Sequence, residues 1–301
     1  MLNRRQKHIL LKSFSLFSVV RGYNILIVVL AQYLTAIFIL SHDRSLKGVL
    51  LDVNVLMLVM ATAATIAAGY IINNFYDYEK DLINRPNKTM LDRLVSQNTK
   101  LSFYFVLNFL AVIFASYVSF KAVLFFAIYI FGIWLYPHKL KRMALIGNLT
   151  SAILTITPFF AVFVYYRNFE TVIFVHALFL FLLLTMRELT KDLENIKGDL
   201  ALNYQTIPVV YGERKTRIVL LVLALLTLLP TYTLVYYFNT GNMKYYFLLS
   251  IVVLFIYMMI LKKSHTKRHF NWLHNLLKFI IVVGVFCIPL IDIELVLNRL
   301  V

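Results

Sequence analysis

The chain contains one cysteine, Cys287, inside its last apolar segment. A single thiol excludes a disulfide within the chain and a thiolate metal cluster, and leaves the role of a small apolar packer. Acids are scarce as well, with 14 Asp and Glu against 30 Lys and Arg and a net charge of +16. With so few, the position of each acid carries information. No low-complexity tract, soluble domain or series of ten-residue alternating strands occurs, so a membrane β-barrel is excluded. The first apolar segment follows a basic stretch but is not succeeded by the small-residue cleavage pattern of a secretory signal, and it reads as a first membrane helix.

What the chain has in excess is apolar surface. Hydrophobic residues make up 61% of 301, with 25 Phe and 19 Tyr, too many for a soluble domain of this length. Nine apolar stretches can be delimited, at 22–40, 53–73, 101–119, 122–137, 143–166, 170–187, 216–238, 244–261 and 279–297. Most approach the length that spans a bilayer, and backbone in lipid must satisfy its own hydrogen bonds, so they are expected to be helices. The expected fold is all-α, a polytopic bundle of about nine transmembrane helices forming one integral-membrane domain over 1–301. Two related halves, about 22–137 and 143–297, are expected, with the sixth helix replaying the second.

The positive charge is distributed as membrane topology requires, which argues against a nucleic-acid partner. With a cytoplasmic N-terminus, 24 of the 30 basic residues fall in segments 1–21, 74–100, 138–142, 187–217 and 262–278, and six fall on the other side: Arg44, Lys47, Lys121, Arg167, Lys244 and Arg299. The positive-inside rule then predicts N-in, C-out, with the long polar loops facing the cytoplasm. Residues 1–20 read as a basic amphipathic segment on the inner leaflet, and KKSHTKRH at 262–269 as a topology determinant touching anionic lipid.

Against this background the run NNFYDYEKD at 73–81 stands out, because it follows directly on an apolar helix. Asn73, Asp77 and Asp81 are spaced i, i+4, i+8 and line one helix face. A second row, Glu188, Asp192, Asn195 and Asp199, is spaced i, i+4, i+7, i+11 at the end of the sixth apolar stretch. Carboxylates crowded at i, i+4 repel unless a cation neutralises them, and hard oxygen ligands suit Mg²⁺ bridging to a phosphate-bearing substrate. Lys80, Arg85 and Lys88 interleave with the first row, and Arg187, Lys191 and Lys197 with the second, so the two read together as a diphosphate site. The plain alternative is solvated loop charges pairing among themselves. Two spaced rows at equivalent helix ends, each followed by a proline turn, favour function.

The run NNFYDYEKDLINRPNKT resembles the first Asp-rich motif of the UbiA superfamily of membrane prenyltransferases, and RELTKDLENIKGD resembles its second. LYPHKLKRMALIGN at 135–148 is similar to the family's Tyr- and Lys-rich loop after helix four, and TIPVVYGERKT at 206–216 to the segment before helix seven. The resemblance covers essentially the whole chain and is nearest to the branch that includes geranylgeranylglycerol-phosphate geranylgeranyltransferase. Three departures stand out: Asn74 and Asn195 where the family usually carries or often carries an acid, and the continuation RPNKTMLDR at 85–93, which bears on acceptor recognition.

The resemblance implies an intramembrane enzyme that transfers a prenyl group from a polyprenyl diphosphate of geranylgeranyl type to a lipid-soluble acceptor, the hydroxyl of a prenylglyceryl phosphate. Asp77, Asp81, Asp192 and Asp199 would hold Mg²⁺ with Asn73 and Asn195 assisting, and Arg85, Lys139, Lys141 and Lys191 would bind diphosphate oxygens. Phe75, Tyr76, Tyr136 and Tyr211 are candidates to shield an allylic cation, Tyr136 foremost, although aromatics in membrane helices commonly pack or anchor. Lys88 or Arg142 would take the acceptor's phosphate. His138, beside Pro137, is expected to be solvated, and no general base is named. Two other readings share these residues: prenylation of an aromatic quinone or haem precursor, and a non-catalytic lipid-binding protein of the same fold.

Overall fold

The computed structural model describes residues 3–41 and 45–294. Arg44, residues 295–297 of the last predicted span, and Arg299 lie outside the described residues. Among those described the chain is helical throughout, with one isolated bridge, Met143 to Gln205. The helices are α1 Arg4–Val20, α2 Gly22–Thr35, α3 Leu46–Leu50, α4 Val53–Tyr76, α5 Tyr78–Asn84, α6 Pro86–Asp92, α7 Gln97–Val118, α8 Phe120–His138, α9 Ile146–Tyr166, α10 Thr171–Ala201, α11 Ile207–Tyr236, α12 Lys244–Lys263 and α13 Lys267–Cys287. A π-turn at Ala36–Leu40 extends α2.

Nine helical segments among the described residues are long and apolar enough to cross a membrane, in agreement with the nine apolar stretches. The boundaries differ in physically readable ways. The last span begins at Lys267, twelve residues before the predicted 279, because the Thr266 side chain accepts from the His269 backbone N–H and starts a helix with a polar first half. The stretch 262–278, expected as a loop, is therefore mostly helix, and KKSHTKRH spans the end of α12 and the start of α13. α10 continues past its apolar portion to Ala201, which keeps the second acidic row on one unbroken helix.

The described residues fall into two compact units. One comprises those up to Val29 together with Val53–Leu140, and the other Leu30–Asp52 with those from Lys141 onward. In the first unit α4 is the centre, packed by α7, α8 and α1. Its buried face is built from Ala61, Thr62, Ala64, Thr65, Ala67 and Ala68, small residues that let neighbouring backbones approach. A Cβ on Gly69 would stand 2.9 Å from Ile133 Cγ2 of α8, so glycine is what permits that approach.

In the second unit α10 is the centre, packed by α9, α11 and α13. Leu183, Met186, Leu189 and Leu193 of α10 sink into a core with Leu220, Tyr257, Phe270 and Leu277. The buried Gln32 of α2 donates to the Pro158 carbonyl of α9. Hydroxyls inside the spans are satisfied locally: Thr65, Thr155, Thr185, Thr190, Thr227 and Thr231 each donate to the carbonyl four residues earlier on their own helix.

On α1, Leu10, Leu11, Phe14 and Phe17 are exposed while Ser15 and Val19 are buried, an amphipathic helix as the sequence suggests.

Candidate active site

In the first unit the predicted row Asn73–Asp77–Asp81 is continuous. Asp77 N–H donates to the Asn73 carbonyl at 2.9 Å, Asp81 to Asp77 at 2.8 Å and Arg85 to Asp81 at 2.7 Å. The helical path thus runs from α4 through Asp77 into α5, although Asp77 (φ −85, ψ 0) marks the joint. Asp77 is buried, while Asn73, Asp81 and Arg85 are half-buried. Pro86 then opens α6 at its first position, where a missing N–H costs nothing, and Lys88 and Asp92 follow one turn apart.

Asn74, one of the departures from the family pattern, lies next to the acidic row in sequence and has partners of its own. Its Oδ1 accepts from Lys100 Nζ at 2.9 Å and its Nδ2 donates to Asp92 Oδ2 at 3.1 Å. Tyr136 is half-buried in the last turn of α8, and Lys139 is exposed just beyond. His138, expected to be solvated, is exposed but engaged. Its ring stacks on Trp134 with centroids 4.9 Å apart, and its Nδ1 is 3.0 Å from the Tyr76 hydroxyl. Tyr76 is therefore fixed beside the acidic row by the end of α8.

In the second unit α10 presents Glu188, Asp192, Asn195 and Asp199 in one row. Glu188 is taken up by Lys191 at 3.0 Å and Arg187 at 3.1 Å, so its charge is spent on neighbours. Asp192 Oδ2 accepts from Asn148 Nδ2 at 2.7 Å. Asn195 Nδ2 donates to the Lys191 carbonyl one turn back. Asp199 is fully buried, and one of its oxygens accepts from Thr206 Oγ1 at 3.3 Å. Tyr211 is 54% exposed beside Gly212, where α11 breaks.

Two loops beside this row are clasped together. Gln205 N–H donates to the Arg142 carbonyl at 2.9 Å, and the Arg142 guanidinium lies 5.0 Å over the Tyr204 ring. Lys141, half-buried, rides on the same short 3₁₀ turn, Leu140–Arg142. Leu145 has φ 63 and ψ −53, and the N–H of Ile146 donates to the Ala144 carbonyl at 2.7 Å. This is the rare γ-turn with positive φ, a strained conformation of the kind held at functional sites. It launches α9 so that Asn148, buried in the first turn, meets Asp192. Asn148 ends the quoted motif LYPHKLKRMALIGN, yet nothing in the spacing singles it out, because its partner lies 44 residues away.

The donor set is hard oxygen, with carboxylates four or seven residues apart on each row. Among the described residues no three His, Cys, Asp or Glu side chains converge on one point. A Mg²⁺ ion requires only one or two protein carboxylates where phosphate oxygens supply the rest, a number that each row contains.

Comparison with known proteins gives a consistent result. Digeranylgeranylglyceryl phosphate synthase of Methanobrevibacter smithii is 29% identical over 272 residues, covering 86% of this chain and 91% of the relative. The same enzyme of Thermococcus sibiricus is 36% identical over 196 residues, 64% of this chain and 67% of the relative. A solved structure concerning digeranylgeranylglyceryl phosphate synthase in membranes superposes with a TM-score of 0.70 at 19% identity, covering 92% of this chain and 97% of that one. A UbiA homologue from Archaeoglobus fulgidus, solved with GPP and Mg²⁺, gives 0.67 at 14% identity over 91% of this chain and 99% of its own. The profile of the UbiA prenyltransferase family matches residues 17–282, and with nine membrane-length helices and two Asp/Asn rows in place, the chain belongs to the UbiA prenyltransferase family.

Proposed function

We propose that this protein is an intramembrane, Mg²⁺-dependent prenyltransferase that moves a geranylgeranyl-type group from a polyprenyl diphosphate to the hydroxyl of a prenylglyceryl phosphate. The observation that carries the reading is the pair of Asp/Asn rows, each a direct continuation of a spanning helix, α4 and α10. The relatives named above support the acceptor, and the solved homologue's bound GPP and Mg²⁺ support donor and cofactor.

In this reading Asp77 and Asp81, with Asn73, and Asp192 and Asp199, with Asn195, hold Mg²⁺. A Mg²⁺ ion held there would supply positive charge to offset that of the leaving diphosphate. Arg85, Lys139, Lys141 and Lys191 donate charged hydrogen bonds to diphosphate oxygens. Glu188 holds Lys191 in place by their 3.0 Å pair. Asn148 fixes the Asp192 carboxylate, and His138 fixes the Tyr76 ring. Tyr76 and Tyr136 would present π-faces to the allylic carbon as its bond to oxygen breaks, with Phe75, which packs edge-on against Tyr76, and Tyr211 as further candidates. The acceptor hydroxyl oxygen forms the new ether bond as the bond to diphosphate breaks, its proton passing to the released diphosphate or to water, and Lys88 or Arg142 binds the acceptor's own phosphate.

The same reading assigns the N-terminus and both rows to the cytoplasmic side, supported by the 24-to-6 division of basic residues. It takes 22–137 and 143–297 as pseudo-related halves, each with one row.

The test is transfer from labelled geranylgeranyl diphosphate by the purified protein, with geranylgeranylglyceryl phosphate and an aromatic quinone precursor offered in parallel, with and without EDTA. Ether product alone, lost in EDTA, is expected. Asp77→Ala and Asp192→Ala should each cut turnover by at least about a hundredfold while the protein stays folded in detergent. Product on the aromatic acid alone would move the chain to the quinone reading, and undiminished turnover in both variants would remove the metal assignment.

A further inference from the structure

The first unit contains a buried charged network that the transfer chemistry does not use. Lys100 is 1% exposed and Asp92 3% exposed, and the Asn74 amide bridges them, oxygen toward the ammonium and nitrogen toward the carboxylate. Only this amide orientation satisfies both partners. Neither charge serves its own helix. Lys100 stands in the first turns of α7, at the positive end of the helix dipole, and Asp92 is the last residue of α6, at the negative end. Each is placed against the local preference, and each is matched to the other across three elements.

The network carries mechanical consequence because it tethers a short helix to two long ones. It is seven residues long, begins at Pro86, and is held to α1 by the buried Ser15, whose hydroxyl donates to the Leu91 carbonyl at 2.9 Å. Lys88 precedes Asp92 by one turn and feels its charge together with those of Arg21, Asp81 and Arg85. Whatever fixes Asp92 fixes Lys88.

We propose that Asn74, Asp92 and Lys100 are positioning residues, a buried clip that ties α6 to α4 and α7 and so holds Lys88 where the acceptor's phosphate binds. This rests on the acceptor reading given above. A buried ion pair that loses one partner is strongly destabilising, so truncation alone would not separate positioning from folding. Exchanging the two acceptors does separate them. Asn74→Asp sets two carboxylates against each other, Asp92→Asn leaves Lys100 without its counter-charge, and the double exchange restores one carboxylate, one amide and one ammonium in the same three places.

The experiment compares native protein, both single exchanges and the double exchange, all full-length in nanodiscs, with geranylgeranyl diphosphate as donor and geranylgeranylglyceryl phosphate as acceptor. Each single exchange is expected to raise the acceptor KM roughly tenfold, the worth of a hydrogen bond to a charged group, with the donor KM unmoved. Amide hydrogen exchange over residues 86–93 should quicken in both, and the double exchange should reverse both effects. A parallel rise in donor and acceptor KM, or a double exchange no better than the worse single one, would overturn the proposal. Should native protein transfer nothing to this acceptor, the acceptor reading fails by itself and amide exchange decides the clip: protection restored only in the double exchange upholds it, and equal protection in all four forms overturns it.

Discussion

Asn148 Nδ2 donates to Asp192 Oδ2 at 2.7 Å, so the first turn of α9 sets the rotamer of a carboxylate on α10. A ligand's supporting hydrogen bond is commonly worth 10- to 100-fold in metal affinity. Asn148→Ala is therefore expected to raise the Mg²⁺ concentration for half-maximal turnover by about tenfold or more. Titrating Mg²⁺ against initial rate in native and variant protein reads this directly. Superimposable titration curves would show that Asp192 needs no help from Asn148.

Asp92 titrates away from its ordinary range, with a definite sign. Burial holds its carboxyl above the usual value, against the opposing pull of Lys88, Lys100 and the Asn74 amide. The folded chain thus binds this proton more tightly than the unfolded chain, so the contribution is whole below the unfolded pKa and is lost as pH climbs through the folded one. The melting temperature of native protein relative to Asp92→Asn should therefore decline as pH rises above about 4, the ordinary carboxylate value. Lys88 behaves in mirror image: burial and then Arg21 lower its pKa, so stability rises with pH between the folded and unfolded values, and Lys88→Met should abolish that alkaline slope. A rising difference for Asp92 would mean that pairing outweighs its burial.

Gly212 interrupts α11 with φ 80 and ψ 163, a region that is essentially glycine's alone. A Cβ there would meet nothing within 4 Å, so any penalty is torsional and not steric. Gly212→Ala should cost about 1–3 kcal/mol, seen as a lower melting temperature in detergent. An unchanged melting temperature would mean that the segment before Gly212 relaxes freely.

The spans were legible because hydropathy integrates over some twenty residues, and the Asp77–Asp81 and Asp192–Asp199 rows because helical periodicity is local. The start of α13 was hidden for the same reason: Lys267 to Lys278 is helical through a Thr266 cap, and a hydropathy window sees only its polar side chains. The role of Asn74 was not legible because its partners, Lys100 and Asp92, lie 26 and 18 residues onward. Asn148 was concealed by a separation of 44. Glu188 looked like a further ligand on spacing alone, and only its contacts with Lys191 and Arg187 reveal that it is already neutralised.

The threonines that bond back to their own helices bear on biogenesis. A span whose hydroxyls are satisfied from within can leave the translocation machinery for lipid as soon as it is made, owing nothing to helices not yet synthesised. Asn74 has no such independence, since Lys100 emerges from the ribosome 26 residues later. The polar end of α4 must wait at the membrane surface until α7 arrives, so this half of the protein cannot close before that point in synthesis.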